Sequence, residues 1–305
     1  MHLAEGTVQL GHAVLLACAA APLLGWSLRG ALSDAQADDS SRSMVAGATS
    51  LLFAATLLPI PVPVVGATSH ICLTPLLALL LGLRRVIWPT FFVLTLQALF
   101  FAHGGITTLG ANLLTLGVAG PAAGLALAMM GRGLGLHPAP IVGVACAIGS
   151  LVVYLADAVI LAVSLSTLAP PQETFMAVLL GFAPIQLPLA VLEGFIAVGI
   201  CRLLDLRRPD LLPKSLRGIS APAQPKVLNI ALLAICLFLV LPGCSYVPMD
   251  DAVFSASAES AGRPVSDILL DFSGGEVGLA ASLLIPFILG VVAGRSWERL
   301  FRRQP

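Results

Sequence analysis

Residues 140–165 read PIVGVACAIGSLVVYLADAVILAVSL, and Asp157 is the one charged side chain among them. A helix of this length reaches across the roughly 30 Å hydrocarbon core of a lipid bilayer. In water, the same helix would expose apolar side chains on every face. The stretch therefore predicts a membrane-spanning helix.

The rest of the chain repeats this pattern. Of its 305 residues, 58% are hydrophobic and only 10% are charged, with a mean hydropathy of +0.98. This composition excludes a soluble globular domain. We predict an all-α polytopic membrane protein with about nine membrane segments, arranged as a seven-helix bundle and a C-terminal two-helix hairpin. The other predicted segments lie at about 8–28, 44–63, 86–102, 107–130, 174–200, 227–242 and 278–294, with a shorter one at 72–83.

Basic residues mark one side of the membrane. Arginine and lysine follow the predicted segments at 72–83, 107–130, 174–200 and 278–294, which are the third, fifth, seventh and last in chain order. The loop 243–277, in contrast, is acidic. Because basic loops stay in the cytoplasm, we predict a multi-pass protein of the bacterial plasma membrane, with the N-terminus outside and the C-terminus inside. Residues 1–28 contain no lysine or arginine, so we do not expect a cleaved secretion signal. The basic residues that follow these four segments are Arg84, Arg85, Arg132, Arg202, Arg207, Arg208, Lys214, Arg217, Lys226, Arg295, Arg299, Arg302 and Arg303.

The composition also divides the chain into two units. A polar, basic stretch rich in proline predicts a cytoplasmic linker at 206–226. It separates a unit at 1–205 from a hairpin at 227–305, whose extracytoplasmic loop is 243–277. Basic and acidic residues balance at 16 each, and we expect no nucleic acid partner. The six cysteines form no Cys-x-x-Cys pair, which favours packing roles over disulfides or zinc.

The chain begins Met1-His2, which is a potential metal chelate. The α-amino group of Met1, the amide nitrogen of His2 and its imidazole can close two fused rings around one ion. With a fourth donor the site is planar, as Ni(II), Cu(II) and low-spin Co(II) favour and tetrahedral zinc does not. The alternative is that His2 is an incidental residue on a frayed terminus.

A second histidine ends an unusual stretch. Residues 59–63 read PIPVP, and 64–70 read VVGATSH, which is not the sequence of a regular helix. Non-helical backbone at membrane depth is tolerated where it is buried in protein or lines a polar cavity. A loop of this kind, ending in His70, is a possible source of the fourth planar donor.

Residues 97–112 read QALFFAHGGITTLGAN, and with them the sequence resembles a known family. It looks like the substrate-binding membrane component, or S component, of cobalt/nickel energy-coupling-factor (ECF) transporters, the CbiM/NikM type. The other matching features are Met1-His2 with an acid-Gly pair shortly after, the Gly-x-Thr-Ser-His loop at 66–70, and Val-Ala-Gly-Pro at 118–121. The resemblance covers about residues 1–205, and the layout of the C-terminal hairpin is similar to a CbiN/NikN-like accessory subunit.

The resemblance implies a site and partners. A transported Co(II) or Ni(II) ion would be held by the amine of Met1, the amide and imidazole of His2, and His70, without a prosthetic group. Partners would be separate ATPase subunits and a scaffold transmembrane subunit, within membrane lipid. Residues 71–73 read ICL where cobalt-type relatives often have Pro-Thr-Gly, which leaves the path of the loop and the choice of metal open. Cys72 as a soft ligand is the minor alternative to Cys72 as a packing residue.

Several polar residues are candidates for supporting this site. His103 either hydrogen-bonds a ligand or loop, or caps a helix end. Gln97 and Asn112 carry amides inside apolar stretches and must find partners there, either around the site or as contacts between helices. Ser69 belongs to the same group through its place in the loop.

Two acids lie inside predicted segments. Asp157 and Glu193 are candidates for proton relays, ion ligands or helix contacts, and we expect Glu193 nearer the inner half, where it could meet a partner subunit. They support an alternative function, a proton-coupled secondary transporter of a divalent metal. An intramembrane metalloenzyme is disfavoured because the chain has no His-Glu-x-x-His motif.

The chain also lacks the Gly-x-x-x-x-Gly-Lys-Ser/Thr motif of P-loop ATPases. We therefore expect a transporter component rather than an enzyme. It would capture the ion at the outer face, and ATP hydrolysis would be carried out by other subunits.

Overall fold

A computed structural model describes residues 2–34, 39–58, 60–62, 67–167, 169–220 and 275–301. In these ranges the protein is almost entirely helical. A π-helical segment, Leu113–Ala119, joins α5 to α6, and a short 3-10 helix, Lys214–Leu216, follows α8. The helices are α1 (Leu10–Asp34), α2 (Asp39–Leu57), α3 (Thr74–Leu81), α4 (Leu83–Phe100), α5 (Leu109–Asn112), α6 (Gly120–Gly133), α7 (Pro138–Ser164), α8 (Pro171–Arg207) and α9 (Gly275–Phe301).

Five helical stretches within these ranges are long and apolar enough to cross a membrane. They are Leu10–Ala31, Leu83–Phe100, Leu109–Gly133, Pro138–Ser164 and Pro171–Arg207. The expected helical membrane protein is therefore confirmed, and residues 140–164 lie within α7. The seven-helix count and the total of about nine segments stay predictions.

The predicted segment at 44–63 differs from the structure at its end. Helix α2 stops at Leu57, and the chain then forms strand β1 (Ile60–Val62), which pairs antiparallel with β2 (Ala67–Ser69). The physical reason is the run of alternating prolines, each of which lacks an N–H donor and has a fixed φ. The hairpin delivers Ser69 opposite Ile60 and places His70 directly after β2.

Helices α7 and α8 pack against each other along their lengths. They cross where Gly143 meets Gly194, and a Cβ atom added to Gly194 would lie 2.6 Å from the carbonyl oxygen of Gly143. Glycines at such a crossing let two backbones approach closely. The crossing fixes the position of α8 along the axis of α7. It therefore also fixes the positions of the residues next to Gly194.

The first part of the expected linker at 206–226 is not a free connection between two units. Residues 206–207 still belong to α8, and the following turn folds back on the bundle. Leu212, Leu216 and Ile219 are buried in the same apolar cluster as Cys201 of α8. The carboxylate of Asp205 accepts hydrogen bonds from the backbone N–H groups of the returning chain at 218 and 220. Most of the C-terminal hairpin, including the segment 227–242, lies outside the described residues, while α9 packs against α2.

Candidate metal centre

Three of the five histidines meet at one end of the bundle. The ring centroids of His2 and His70 are 4.3 Å apart, those of His2 and His103 are 4.6 Å apart, and those of His70 and His103 are 5.8 Å apart. One ring nitrogen from each lies within 4.8 Å of the others. Residues far apart in the sequence thus supply one cluster of nitrogen donors.

The segment before α1 is held inside the bundle by Asn112. The backbone N–H of Leu3 donates to Asn112 Oδ1 (2.8 Å), and the Leu3 carbonyl accepts from Asn112 Nδ2 (3.0 Å). The hydroxyl of Thr108 donates to the same carbonyl (2.7 Å). Leu3 itself is only 2% exposed. The backbone directly after His2 is therefore fixed on both its donor and its acceptor side.

Glu5 provides a second attachment. Its Oε2 accepts a hydrogen bond from the backbone N–H of Thr107 (3.2 Å), so Glu5 reaches across to the loop after α4. Gly105 lies against it, and a Cβ atom there would lie 2.3 Å from Glu5 Oε2 and 2.7 Å from Glu5 Cα. The second glycine of the His-Gly-Gly motif is thus required by the N-terminal segment that packs on it.

His103 is presented by a turn that closes α4. The backbone N–H groups of Phe101 and His103 both donate to the carbonyl of Gln97 (3.1 Å each), and Ala102 takes a left-handed conformation with φ 46°. The Gln97 side chain, fully buried, donates to the hydroxyl of Thr56 (2.9 Å) on α2. Gln97 thus ties α4 to α2 and its carbonyl fixes the turn, while the ring of His103 lies beside His2.

His70 is 1% exposed and is held through its neighbours. The Ser69 hydroxyl donates to Gln186 Oε1 (2.7 Å), and the Cys72 N–H donates to Glu193 Oε1 (2.8 Å). Both acceptors are on α8. The loop that carries the histidine is therefore attached to one helix on each side of the histidine.

The cluster fits a divalent transition metal chemically. Both ring nitrogens of His2 are buried and form no hydrogen bond with any described residue. Burial, and then the nearby rings of His70 and His103, lower the pKa of His2 well below its usual 6.5, so it is the neutral, metal-binding form that is favoured. Metal–imidazole bonds are about 2.0–2.1 Å, so donors on one ion lie at most about 4 Å apart. One ring nitrogen from each of the three histidines lies within 4.8 Å of the others, so these nitrogens need to move only slightly closer together to bind one ion.

His70 has a defined second contact. Its Nδ1 lies 3.3 Å from the carbonyl oxygen of Ile71. A proton on Nδ1 would donate to that oxygen and leave Nε2 as the lone-pair nitrogen. Met1, whose amine the planar site needs, lies outside the described residues.

The structure locates the remaining candidates. Glu193 lies against the His70 loop, where its Oε1 accepts from the Cys72 N–H, and its place in the inner half of the membrane stays a prediction. Asp157 is fully buried, and its carboxylate oxygens form no hydrogen bond with the described residues. The Cys72 side chain packs in an apolar cluster with Leu94 and Leu113, which favours its packing role.

Gln186 supports the site but was not predicted from the sequence. It is an amide within a predicted apolar segment, which is the signal that identified Gln97 and Asn112 and that marks Gln186 equally.

Comparison with known proteins gives a consistent result. The profile of the CbiM family, described as "Cobalt uptake substrate-specific transmembrane region", matches residues 2–211. A cobalt transport protein CbiM of Geobacter sulfurreducens is 34% identical over 98% of this chain and 90% of its own length. Another, of Sorangium cellulosum, is 35% identical over 70% of this chain and 95% of its own. A crystal structure titled as a truncated transition metal transporter superposes with a TM-score of 0.60 at 21% identity, over 68% of this chain and 99% of that one.

Proposed function

The chain belongs to the CbiM family of cobalt transport proteins, and on that premise we propose that it is the substrate-capture component of an ATP-driven ECF importer for Co(II) or Ni(II). The ion would bind at the outer face of the bacterial plasma membrane, in a planar nitrogen site. Separate ATPase subunits and a scaffold membrane subunit would drive its release into the cytoplasm. The C-terminal segment would be a fused accessory hairpin, as its layout suggests.

The observation that carries this proposal is the close approach of the His2 and His70 rings, whose centroids are 4.3 Å apart. A terminal histidine on a frayed end would have no fixed position, whereas the backbone after His2 is bonded to Asn112 and Thr108. This supports the use of the terminal amine and the His2 amide as further donors, because a fixed backbone can hold its nitrogens toward one point. His103, beside both rings, would orient a ligand or bind the ion from above the plane.

The chain's own residues account for capture. The ligands must be free of protons on the nitrogens that bind, and burial already keeps the His2 ring neutral. Imidazole and amine nitrogens suit cobalt and nickel, and a planar arrangement of four nitrogens selects against zinc. Hydrogen bonds to the loop and to the N-terminal segment set the geometry before the ion arrives.

Metal titration of the purified full-length protein tests the proposal. We expect about one Co(II) or Ni(II) per chain in the native protein. His2→Ala and His70→Ala should lose more affinity than the 10- to 100-fold that partners of metal ligands are typically worth. His137→Asn is the matched control, because His137 is exposed at the start of α7. Equal binding by all of these proteins would contradict the proposal.

The free N-terminus can be tested separately. Addition of one residue before Met1 moves the amine and should abolish high-affinity binding, while one residue added after Pro305 should have no effect. Retained affinity with the N-terminal extension would exclude the terminal amine as a donor. It would leave a site made of imidazoles alone.

One observation favours a different function. Asp157 is buried without a hydrogen bond among the described residues, as a proton carrier in a secondary transporter would be; Glu193 would be its partner. Uptake in cells distinguishes the two mechanisms. Import that requires co-expressed ATPase subunits and survives a protonophore supports the ECF importer, whereas import that fails with the protonophore and with Asp157→Asn supports the carrier.

A further inference from the structure

The hydrogen bonds on either side of His70 converge on one helix. Ser69 is the residue before the histidine, and its hydroxyl donates to Gln186. Cys72 is two residues after the histidine, and its N–H donates to Glu193. Gln186 and Glu193 are seven residues apart, so they lie two turns apart on one face of α8.

Both acceptors are buried, and neither faces water. Gln186 is 2% exposed and Glu193 is 1% exposed. A buried acceptor that loses its donor is left unsatisfied, which costs more than an exposed bond is worth. The two hydrogen bonds therefore constrain the loop strongly. They can form only while α8 keeps its position along its axis relative to β2 and α3.

The position of α8 along its axis is itself set next to Glu193. Gly194 lies against Gly143 of α7, with no room for a methyl group between the two backbones. Near Gln186 the helix is less constrained, because Pro184 and Pro188 lie inside it. Each proline removes one N–H donor from the helix ladder. One end of the loop is thus attached near a rigid crossing and the other to a stretch that bends more easily.

We propose that α8 positions the metal-binding loop, and that Gln186 and Glu193 are positioning residues that hold His70 closed over the ion. Neither residue touches the ion. A shift of α8 along α7 changes both hydrogen bonds at once and loosens the hold on His70. A movement of the far end of α8, at Arg207, can therefore change the geometry of the site. The role in metal retention rests on the proposed function. The closing of the loop by these two residues does not.

Cys72 is a native reporter of this loop. Its side chain is 1% exposed, so an uncharged thiol reagent reaches it only when the loop opens. Cys146 and Cys201 are also buried, but they belong to α7 and α8 rather than to the loop, in an apolar cluster that also contains Leu73. Peptide-level mass spectrometry after a short exposure of the metal-free protein gives a separate modification rate for each cysteine.

The test uses the full-length protein and four variants at the two positions. Glu193→Met and Gln186→Met remove an acceptor and keep an unbranched side chain of similar size. Glu193→Gln and Gln186→Glu keep an acceptor oxygen. Tyr154→Phe is the control, because it removes a hydrogen bond from Tyr154 Oη to the Val178 carbonyl (2.9 Å) between the same two helices without touching the loop.

We expect each methionine variant to raise the modification rate of Cys72 by about tenfold or more, as the loss of a buried hydrogen bond predicts for local opening. The rates at Cys146 and Cys201 should stay unchanged, and the acceptor-keeping variants and Tyr154→Phe should resemble the native protein. Nickel-loaded protein should release its ion to a chelator faster in the methionine variants alone. If one methionine variant does not fold, the other decides the outcome.

Two results would overturn the proposal. One is an unchanged rate at Cys72 in both methionine variants, and the other is an equal rise at all three buried cysteines, which would indicate general loosening. If the native protein binds no metal, the proposed function fails, while the labelling of the metal-free protein still decides the role of α8.

Discussion

At the scale of single residues, the side-chain amide of Asn112 sets the position of the N-terminal backbone. It pairs with both the N–H and the carbonyl of Leu3. Asn112→Ala leaves the buried N–H of Leu3 unsatisfied, at about 1–3 kcal/mol, while the Leu3 carbonyl keeps its hydrogen bond from Thr108. We expect the dissociation constant for Ni(II) to rise by about 10- to 100-fold, since 1.4 kcal/mol corresponds to a factor of ten. Isothermal titration of purified protein measures it.

The control for this variant is Thr95→Val. It also removes a side-chain hydrogen bond, from Thr95 to the Phe91 carbonyl within α4, but leaves the N-terminal segment intact. Asn112→Asp adds a finer test, because it keeps the size of the side chain and replaces the donor that faces the Leu3 carbonyl. An affinity equal to native in Asn112→Asp would show that the donor is not needed.

The number of protons released on binding distinguishes the possible donor sets. An ordinary α-amino group has a pKa of about 8 and a backbone amide is protonated at neutral pH, so the planar chelate should release about two protons per ion. Affinity would then fall about 100-fold for each unit of pH below 7. Three neutral imidazoles would release almost none, since the pKa of His2 is lowered. Titration in buffers of different ionisation enthalpy counts the protons.

The same lowered pKa has a consequence for the metal-free protein. As the pH falls below 6.5, an unfolded chain takes up a proton on His2 before the folded chain does. The stability of the folded state therefore does not depend on His2 above that pH and decreases on acidification below it. His2→Gln should remove this part of the acid sensitivity, as thermal unfolding at pH 7 and pH 5 would show.

The sequence predicted the two donors that the structure brings together, because Met-His at the start and a histidine after a non-helical run are local features. It did not predict their supports in full. Gln186 and Glu193 were visible as polar residues in an apolar segment, but the segment's pattern gives neither their depth nor the helix face they occupy. Both depend on the crossing of α7 and α8 at Gly194, a contact between residues distant in sequence.

At the scale of elements, the fit between the N-terminal segment and the loop after α4 is steric. Gly105→Ala would place a methyl group 2.3 Å from Glu5 Oε2 and 2.7 Å from Glu5 Cα. Because one of these is a backbone atom, the segment that carries His2 has to move. We expect a loss of metal affinity of at least about tenfold, larger than the change in thermal stability, measured on the same samples.

Gly25→Ala is the matched control, since nothing lies within 4 Å of a Cβ at Gly25 within α1. Alanine is the better helix former by about 1 kcal/mol, so this variant should be neutral or stabilising and should bind metal normally. Unchanged affinity in both variants would show that the segment can bind metal without packing on Gly105.

The elements themselves were predictable to different degrees. The helices in 83–207 follow from apolar length, and α3 lies where the shorter segment at 72–83 was predicted. The end of α2 was missed because hydropathy does not register backbone donors, whereas the prolines at 59, 61 and 63 forbid a helix on that ground. The β-hairpin that carries His70 to the site also depends on pairing between Ile60 and Ser69, which no local pattern specifies.

At the scale of the whole molecule, Arg84 and Arg207 lie at the opposite end of the bundle from the three histidines of the candidate metal centre. Helix α4 runs from Arg84, whose side chain donates to the Trp26 carbonyl near the far end of α1, to the turn that presents His103. Helix α8 runs between the same two ends. It begins next to the loop in which the Thr167 hydroxyl accepts a hydrogen bond from the Gln9 side chain (3.4 Å), and it ends at Arg207. If basic loops remain inside, the three histidines face the exterior, as capture of an external ion requires.

Cysteine labelling on intact cells tests this orientation. Ser166 is exposed just after the end of α7, and Gly133 is exposed at the end of α6, shortly before α7 begins. With a membrane-impermeant maleimide, we expect Ser166→Cys to react in intact cells and Gly133→Cys to react only after lysis, with the native chain as the blank for its own cysteines. The reverse pattern would place the histidines at the cytoplasmic side. An ion would then reach them only from inside the cell, and import by capture at this site would be physically impossible.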